Sequence, residues 1–206
     1  MNIKRWHKLM NTLNVSENND TFFMLQKAYS EPHRFYHNAK HIDDCLYWLD
    51  KASFIAKRPW EIEIALWFHD AIYLPLSTRN EIKSSRLAIN FLILIGSSSE
   101  RNIRVNYFIA YTKHEAYPIF GDNALMVDID LTILGSNPEE YKIYEDNIRK
   151  EYIDVPSSIY KPKRIDILQS FLNRPSIYNT AYFSGLLENQ ARKNLEWAII
   201  YLYESE

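Results

Sequence analysis

The spacing of apolar residues predicts helices along most of this chain, most clearly over residues 62–73. There, one face of a helix would carry apolar residues and a single histidine, at positions i, i+3, i+4, i+7, i+10 and i+11. This face consists of Ile62, Ala65, Leu66, His69, Ile72 and Tyr73. His69 is therefore expected to point inward, with Asp70 directly after it. A buried imidazole beside a carboxylate needs partners, either neighbouring hydrogen-bonding groups or a metal ion.

Prolines, glycines and capping residues divide the pattern into successive helices. Pro59 suits a first helical turn, while Pro118 and Gly121 are typical of a loop. Asn137, followed by a proline and two acids, is a strong helix start. The predicted helices cover residues 1–13, 20–30, 36–56, 59–73, 81–95, 99–114 after a cap at 97–99, 123–134, a segment from 138, 156–172 and 182–203. With no repeat or composition break, we expect an all-α fold, a single-domain helical bundle.

Three further histidines fall on predicted inward faces. His41 shares a stripe with Cys45, at i and i+4, and His37 lies one turn earlier on the same side. His114 ends a stripe formed by Ile103, Tyr107 and Ala110. Each inward histidine has a plainer alternative, because most buried polar groups are simply hydrogen-bonded within the core. His37 could likewise cap a helix or stack on a ring.

An acid is also predicted to face inward in the short helix over 123–134. Val127, Leu131 and Leu134 form its apolar stripe. Asp130 falls about 40° from the centre of that stripe at 100° per residue, whereas Asp128 lies nearer the polar side. We therefore expect Asp130 to be the inward acid, either as a metal ligand or as the cap of a neighbouring helix. Imidazole and carboxylate groups on facing helices are the usual ligands of a metal site in a bundle.

Composition narrows the classes of function. The chain has 206 residues, 24 Lys plus Arg and 26 Asp plus Glu, a net charge of −2. A chain with this charge balance lacks the excess positive charge that binds a nucleic-acid polymer or an anionic membrane. Cys45 is the single cysteine, so an internal disulfide and a cysteine-based metal cage are excluded. We find no secretory signal and no apolar run long enough to span a membrane, and therefore expect a cytoplasmic protein.

The order His41, His69-Asp70, Asp130 resembles the HD superfamily of metal-dependent phosphohydrolases. The likeness extends in order through RFYHNAKHI, WFHDAIY, NEIKSS, TKHE, DIDLTILG and ENQARKNL, which are similar to the motifs of a small bacterial branch of predicted phosphohydrolases. It covers about residues 5 to 203. One departure is Ile129, where that branch usually has alanine before the ligand aspartate. The resemblance implies a class of reaction and no particular substrate.

The resemblance implies that His41, His69, Asp70 and Asp130 bind one divalent ion, with Mn, Fe, Zn, Mg, Ni and Co not distinguished. It places the metal-site core at about 34–135, with C-terminal helices at about 138–204 packing on it within one domain, 1–206. Asp70 would also be catalytic, because it positions the water that the ion activates.

Four residues near the motifs have expected roles beside these ligands. His114 is a candidate proton donor, phosphate contact or helper of a second metal. Arg34 and His37 are candidate substrate-binding residues, since guanidinium matches phosphate oxygens, although Arg34 could equally form a surface ion pair. Glu81 is a candidate general base or acceptor for a ligand histidine, or a plain N-terminal helix acid.

These features favour a hydrolase acting on a phosphate ester or anhydride of a small phosphorylated metabolite, with nucleotides included. A non-catalytic metal- or nucleotide-binding protein on the same scaffold is the first alternative, since a fold does not guarantee its chemistry. A di-iron oxygenase-like enzyme is the second. The sequence leaves the oligomeric state open, with a homo-oligomer among the alternatives.

Overall fold

The described part of the chain, residues 1–117 and 119–204 of a computed structural model, is all-α and contains no strand. Pro118, predicted to mark a loop, lies outside the described residues, as do residues 205–206. The helices are α1 Ile3–Thr12, α2 Asn19–Ala28, α3 Ala39–Ala52, α4 Pro59–Phe68, α5 Asn80–Leu94, α6 Ser99–Tyr111, α7 Gly121–Asp130, α8 Pro138–Glu151, α9 Ser157–Leu172 and α10 Ala181–Glu204. Short 3-10 segments follow α3 and α7, at Ser53–Ile55 and Leu131–Gly135.

Two helices begin at capping side chains that the sequence predicts. The side chain of Asn137 accepts a hydrogen bond from the Glu140 amide, and Pro138 occupies the first turn of α8. Ser98 accepts from the Arg101 amide at the start of α6. These bonds satisfy amides that the first helical turn leaves without an intrahelical partner.

Four helices surround the centre of the bundle. α3 contacts α4 and α7, α4 contacts α6 and α7, and α6 contacts α7. α4 is buried on every side, from Ile62 to Phe68, apart from the partly exposed Glu63. The α1 and α2 helices cover one side of α4 with an aromatic cluster in which Trp6 contacts Phe22 and Trp67. This packing fixes the end of α4, where the His-Asp pair lies.

The helix that carries His69 is shorter than predicted, because α4 ends at Phe68 instead of Tyr73. His69 keeps helical angles as its C-cap, and Asp70 lies in the turn that follows. Arg34 donates hydrogen bonds to the carbonyl oxygens of Asp70 and Ala71. A longer helix would need these oxygens for its own hydrogen bonds, so the side chain of Arg34 favours the observed end.

The prediction of which face of α6 is buried is wrong. The buried residues of α6 include Val105 and Ile109, because this side packs on α4, α5 and α7. Apolar residues are common on protein surfaces, so their spacing alone did not identify the inner face. The predicted inward residues are exposed: Ile103, Tyr107 and Ala110. His114 lies in the turn that follows the helix, with a left-handed φ of 59°, so the turn and not the helical face sets the direction of its side chain.

The prediction that Asp128 lies near a polar side of the short helix is also wrong. α7 is buried from Ala124 to Ile129, and Asp128 is 0% exposed. Asp128 accepts hydrogen bonds from the amides and side chains of Asn179 and Thr180, just before α10. Both acids therefore point inward, in different directions. Asp128 caps α10, and Asp130 faces α3 and α4.

The C-terminal helices pack closely on this centre. The 3-10 segment after α7 contacts α8 and α10. A Cβ atom at Gly135 would lie 2.6 Å from the Cβ of Leu187 in α10, so only glycine permits this approach. Asn194 of α10 donates to the carbonyl oxygens of Leu134 and Ser136 in the same region. The 3-10 segment after α7 is thereby held against α10.

Candidate metal centre

The side chains of His41, His69, Asp70 and Asp130 meet where the ends of α4 and α7 approach α3. The Nε2 atoms of His41 and His69 are 3.1 Å apart. Oδ1 of Asp130 lies 3.2 Å from His41 Nε2 and 3.4 Å from His69 Nε2. Oδ2 of Asp70 lies 3.6 Å from His41 Nε2 and 3.2 Å from His69 Nε2. The four residues predicted as ligands are thus brought together.

These separations suit the edges of one coordination shell. With metal–ligand distances of about 2.1 Å, adjacent ligands lie about 3.0 Å apart in an octahedron and about 3.4 Å apart in a tetrahedron. His69 Nδ1 donates a hydrogen bond to the Leu66 carbonyl oxygen, 3.0 Å away, because a carbonyl oxygen can only accept. In the neutral imidazole, Nε2 then presents a lone pair to the other three ligands.

The charges also favour a cation. Burial opposes protonation of His69, but the charges of Asp70 and Asp130 outweigh burial and raise the pKa of His69 well above its usual value. Burial would raise the pKa of Asp130, yet hydrogen bonds with His114, His41 and His69 hold it well below its usual value. The two carboxylates require positive charge beside them, which either a proton or a metal ion supplies.

Solvent reaches this cluster from the carboxylate side. The side chains of His41 and His69 are 3% and 1% exposed, whereas those of Asp70 and Asp130 are 16% and 12% exposed. His114 is 22% exposed. The buried imidazoles thus form the floor of the site, and a small molecule would approach over the acids and His114.

Cys45 is a competing fourth ligand that the sequence placed on the His41 stripe without assigning it this role. Single ligand atoms of Cys45, His41, His69 and Asp130 all lie within 4.8 Å of one another. Its sulfur, however, is 3.8 Å from both ring nitrogens of His41 and is not aligned with Nε2. Burial and the nearby carboxylates raise the pKa of the Cys45 thiol well above its usual value. Oδ2 of Asp70 lies nearer, at 3.6 Å from His41 Nε2 and 3.2 Å from His69 Nε2, so we favour Asp70 as the fourth ligand.

Arg34 is buried and its hydrogen-bonding groups are largely taken. Its Nη1 donates to the carbonyl oxygens of His37 and Asp70, its Nη2 to that of Ala71, and its Nε to the Glu31 carboxylate. Four of its five N–H groups are therefore used within the protein. This arrangement fits a residue that orients the backbone of Asp70 better than the predicted phosphate clamp.

His37 lies beside the centre, with its ring 6.1 Å from that of His41. It precedes α3, because that helix starts at Ala39, three residues later than predicted. His37 Nδ1 is 2.6 Å from Oε2 of Glu151, the last residue of α8. The same carboxylate accepts from the amides of Tyr36 and His37 and from the Tyr73 hydroxyl.

The buried Glu151 was missed, since nothing local in the sequence links it to a histidine 114 residues away. Burial disfavours the charged form of both groups, but their mutual hydrogen bond outweighs it. The result is a raised pKa for His37 and a lowered pKa for Glu151. The pair therefore holds the imidazole in one orientation beside the candidate ligands.

His114 contacts the centre through Asp130. Its Nε2 is 3.1 Å from Asp130 Oδ2, and its buried Nδ1 has no hydrogen-bond partner within the described residues. Glu81 lies in the first turn of α5 and is half-buried. Its charge helps to raise the pKa of Lys113, after the larger effect of Glu115. Within the described chain, no hydrogen bond or ion pair joins Glu81 to the ligands.

Comparisons with known proteins add no relative to this picture. No family model, no curated protein and no solved structure matches the chain. None of the helices in the described residues is long and apolar enough to cross a bilayer. We therefore infer the chemistry of the site from its own side chains alone.

Proposed function

We propose that this protein is a metal-dependent phosphohydrolase of the HD type, acting on a phosphate ester or anhydride of a small phosphorylated metabolite. The observation that supports it most is the meeting of His41, His69, Asp70 and Asp130, with the separations described above. These residues have the order and the types of the HD pattern. Asp70, Asp130 and His114 are partly exposed, so water can reach this side of the cluster.

The donor set suits a divalent ion. Two neutral imidazoles and two carboxylates balance its charge, and Arg34 keeps Asp70 in place through the backbone. A bound divalent ion lowers the pKa of a coordinated water and polarises a phosphoryl oxygen. Hydrolysis of a phosphate group is the reaction that this combination serves, since it needs an attacking water and a stabilised phosphoryl charge.

His114 and His37 complete the proposed site from two sides. His114 lies on the solvent side of Asp130, where an imidazolium can donate a proton to the leaving-group oxygen. His37 Nδ1 is held by Glu151, so Nε2 remains for a phosphate oxygen. Glu81 forms no hydrogen bond or ion pair with the ligands in the described residues, and its role as general base stays a prediction.

The test combines metal analysis with a screen of phosphorylated metabolites, including nucleotides, in the presence of each divalent ion. We expect phosphate release that a chelator abolishes and that Asp70→Ala removes while the protein stays folded. Asp166→Ala is the matched control, because Asp166 is an exposed acid on α9. Phosphate release from metal-free Asp70→Ala would contradict the mechanism.

Two other results would point to the alternatives. Bound metal without phosphate release on any substrate would favour a binding protein. A visible iron absorption with oxygen consumption would favour redox chemistry at a di-iron site.

A further inference from the structure

A second arginine lies at the edge of the candidate metal centre, in the turn after α9. Arg174 Nη2 donates a hydrogen bond of 2.6 Å to the carbonyl oxygen of His114. Its guanidinium carbon is 4.5 Å from the centre of the Phe171 ring and 5.4 Å from that of Tyr117. The Phe171 ring also contacts the His114 ring, at 5.9 Å between centroids. Arg174 therefore belongs to the same wall as the proposed proton donor.

The backbone of Arg174 is fixed in this place. Its carbonyl oxygen accepts from Nη2 of Arg192, which forms an ion pair with Glu188 four residues earlier on α10. Glu188 also accepts from the amide of Ile177. The pair orders the turn that presents Arg174.

The charge of Arg174 lacks an acidic partner in the described residues, although the side chain is only partly exposed. The neighbouring cation Lys113, in contrast, is paired with Glu115 at 2.8 Å. Burial lowers the pKa of Arg174, as expected for a guanidinium that no carboxylate stabilises. Free N–H groups of a partly desolvated guanidinium favour an anion, and phosphate oxygens match their geometry.

We infer that Arg174 binds a phosphate group of the substrate adjacent to the one at the metal centre. The inference rests on the proposed function and assigns to Arg174 the role that the sequence suggested for Arg34. His114 contacts both sides: its backbone oxygen accepts from the Arg174 guanidinium, and its Nε2 lies 3.1 Å from Asp130 Oδ2 at the metal centre. A substrate with two linked phosphates would reach both, which favours phosphoanhydrides, such as nucleoside diphosphates, over simple monoesters.

The test measures binding rather than turnover. Methylenediphosphonate, whose P–C–P link resists hydrolysis, is titrated calorimetrically into the metal-loaded full chain, with inorganic phosphate as the comparison. Arg174→Gln removes the positive charge and keeps a shorter polar side chain. We expect diphosphonate affinity to fall about 10–100-fold, as for lost charge-assisted hydrogen bonds, and phosphate affinity to change much less.

Two variants serve as controls. Arg174→Lys keeps the charge and should retain more diphosphonate affinity than Arg174→Gln. Arg86→Gln removes one charge from an exposed position on α5 and should bind as wild type.

Two results would overturn the inference. One is equal diphosphonate affinity in folded Arg174→Gln and wild type. The other is equal loss in the Gln and Lys variants together with loss of metal, which would make Arg174 only a support of the His114 turn. Failure of the proposed function would instead show as absent phosphate release in the wild type, whatever the binding result.

Discussion

His41 Nε2 lies 3.1 Å from His69 Nε2, although the two residues are 28 positions apart on different helices. Two neutral imidazole nitrogens that both present lone pairs repel each other, so a proton or a metal ion must lie between them or beside them. The acids Asp70 and Asp130 approach the same two atoms. This arrangement supports the metal site more directly than the order of the residues in the sequence.

The two acids of α7 give the first prediction. Asp130→Asn should remove most bound metal, because one carboxylate charge leaves the cluster. Asp128→Asn should keep most of the metal and lower the free energy of unfolding by about 1–3 kcal/mol, since Asp128 accepts four hydrogen bonds before α10. Metal analysis and thermal unfolding of both variants test this, and equal metal loss in both would contradict it.

The choice between Asp70 and Cys45 gives the second prediction. Cys45→Ala should retain bound metal, because the Cys45 sulfur is 3.8 Å from His41 Nε2 while Oδ2 of Asp70 lies closer to both imidazoles. X-ray absorption of the zinc-loaded wild type should show nitrogen and oxygen ligands at about 2.0–2.2 Å. A sulfur ligand at about 2.3 Å would instead identify Cys45 as a ligand.

A third prediction concerns His114, which contacts the cluster only through Asp130. His114→Ala should keep the metal, yet slow phosphate release about 10²–10⁴-fold if the imidazole donates the proton. Single-turnover rates at matched metal content measure this effect. Full activity in the variant would show that His114 only supports Asp130 structurally.

The pH dependence of stability gives the fourth prediction, through His37 and Glu151. His37 has a raised pKa, so its contribution is complete below its unfolded value of about 6.5 and is lost as pH rises through the folded value. Glu151 has a lowered pKa, so its contribution is complete above about 4.3 and is lost as pH falls through the folded value. Both contributions are therefore complete between about pH 4.3 and 6.5.

In that range, Glu151→Gln should lower the free energy of unfolding by about 1.5–3 kcal/mol, the value of a hydrogen bond to a charged group. The difference should narrow at higher pH as His37 loses its proton. Glu139→Gln, an exposed acid at the start of α8, is the control. Denaturant unfolding across pH measures both, and a cost that grows above pH 7 would contradict the account.

The sequence predicted the helical class, several caps and the meeting of the four ligands, because these depend on local spacing and on an ordered motif. It did not identify the buried face of α6, since apolar residues such as Ile103 also occur on surfaces. It wrongly placed Asp128 near the polar side of its helix, because α7 is buried on both sides. Arg34 and Glu151 act through contacts distant in sequence, which only the packing reveals.

The central claim is that these imidazoles and carboxylates bind one divalent ion. Metal content measured after dialysis against Mn²⁺ or Zn²⁺ tests it most directly, in wild type, His69→Ala and His7→Ala. His7 is an imidazole on α1 that bonds to Asn19, away from the cluster. The account predicts about one ion per chain in wild type and His7→Ala and a large loss in His69→Ala, because the site would lack one ligand. A folded wild type without bound metal, or a His69→Ala protein that keeps it, would contradict the account.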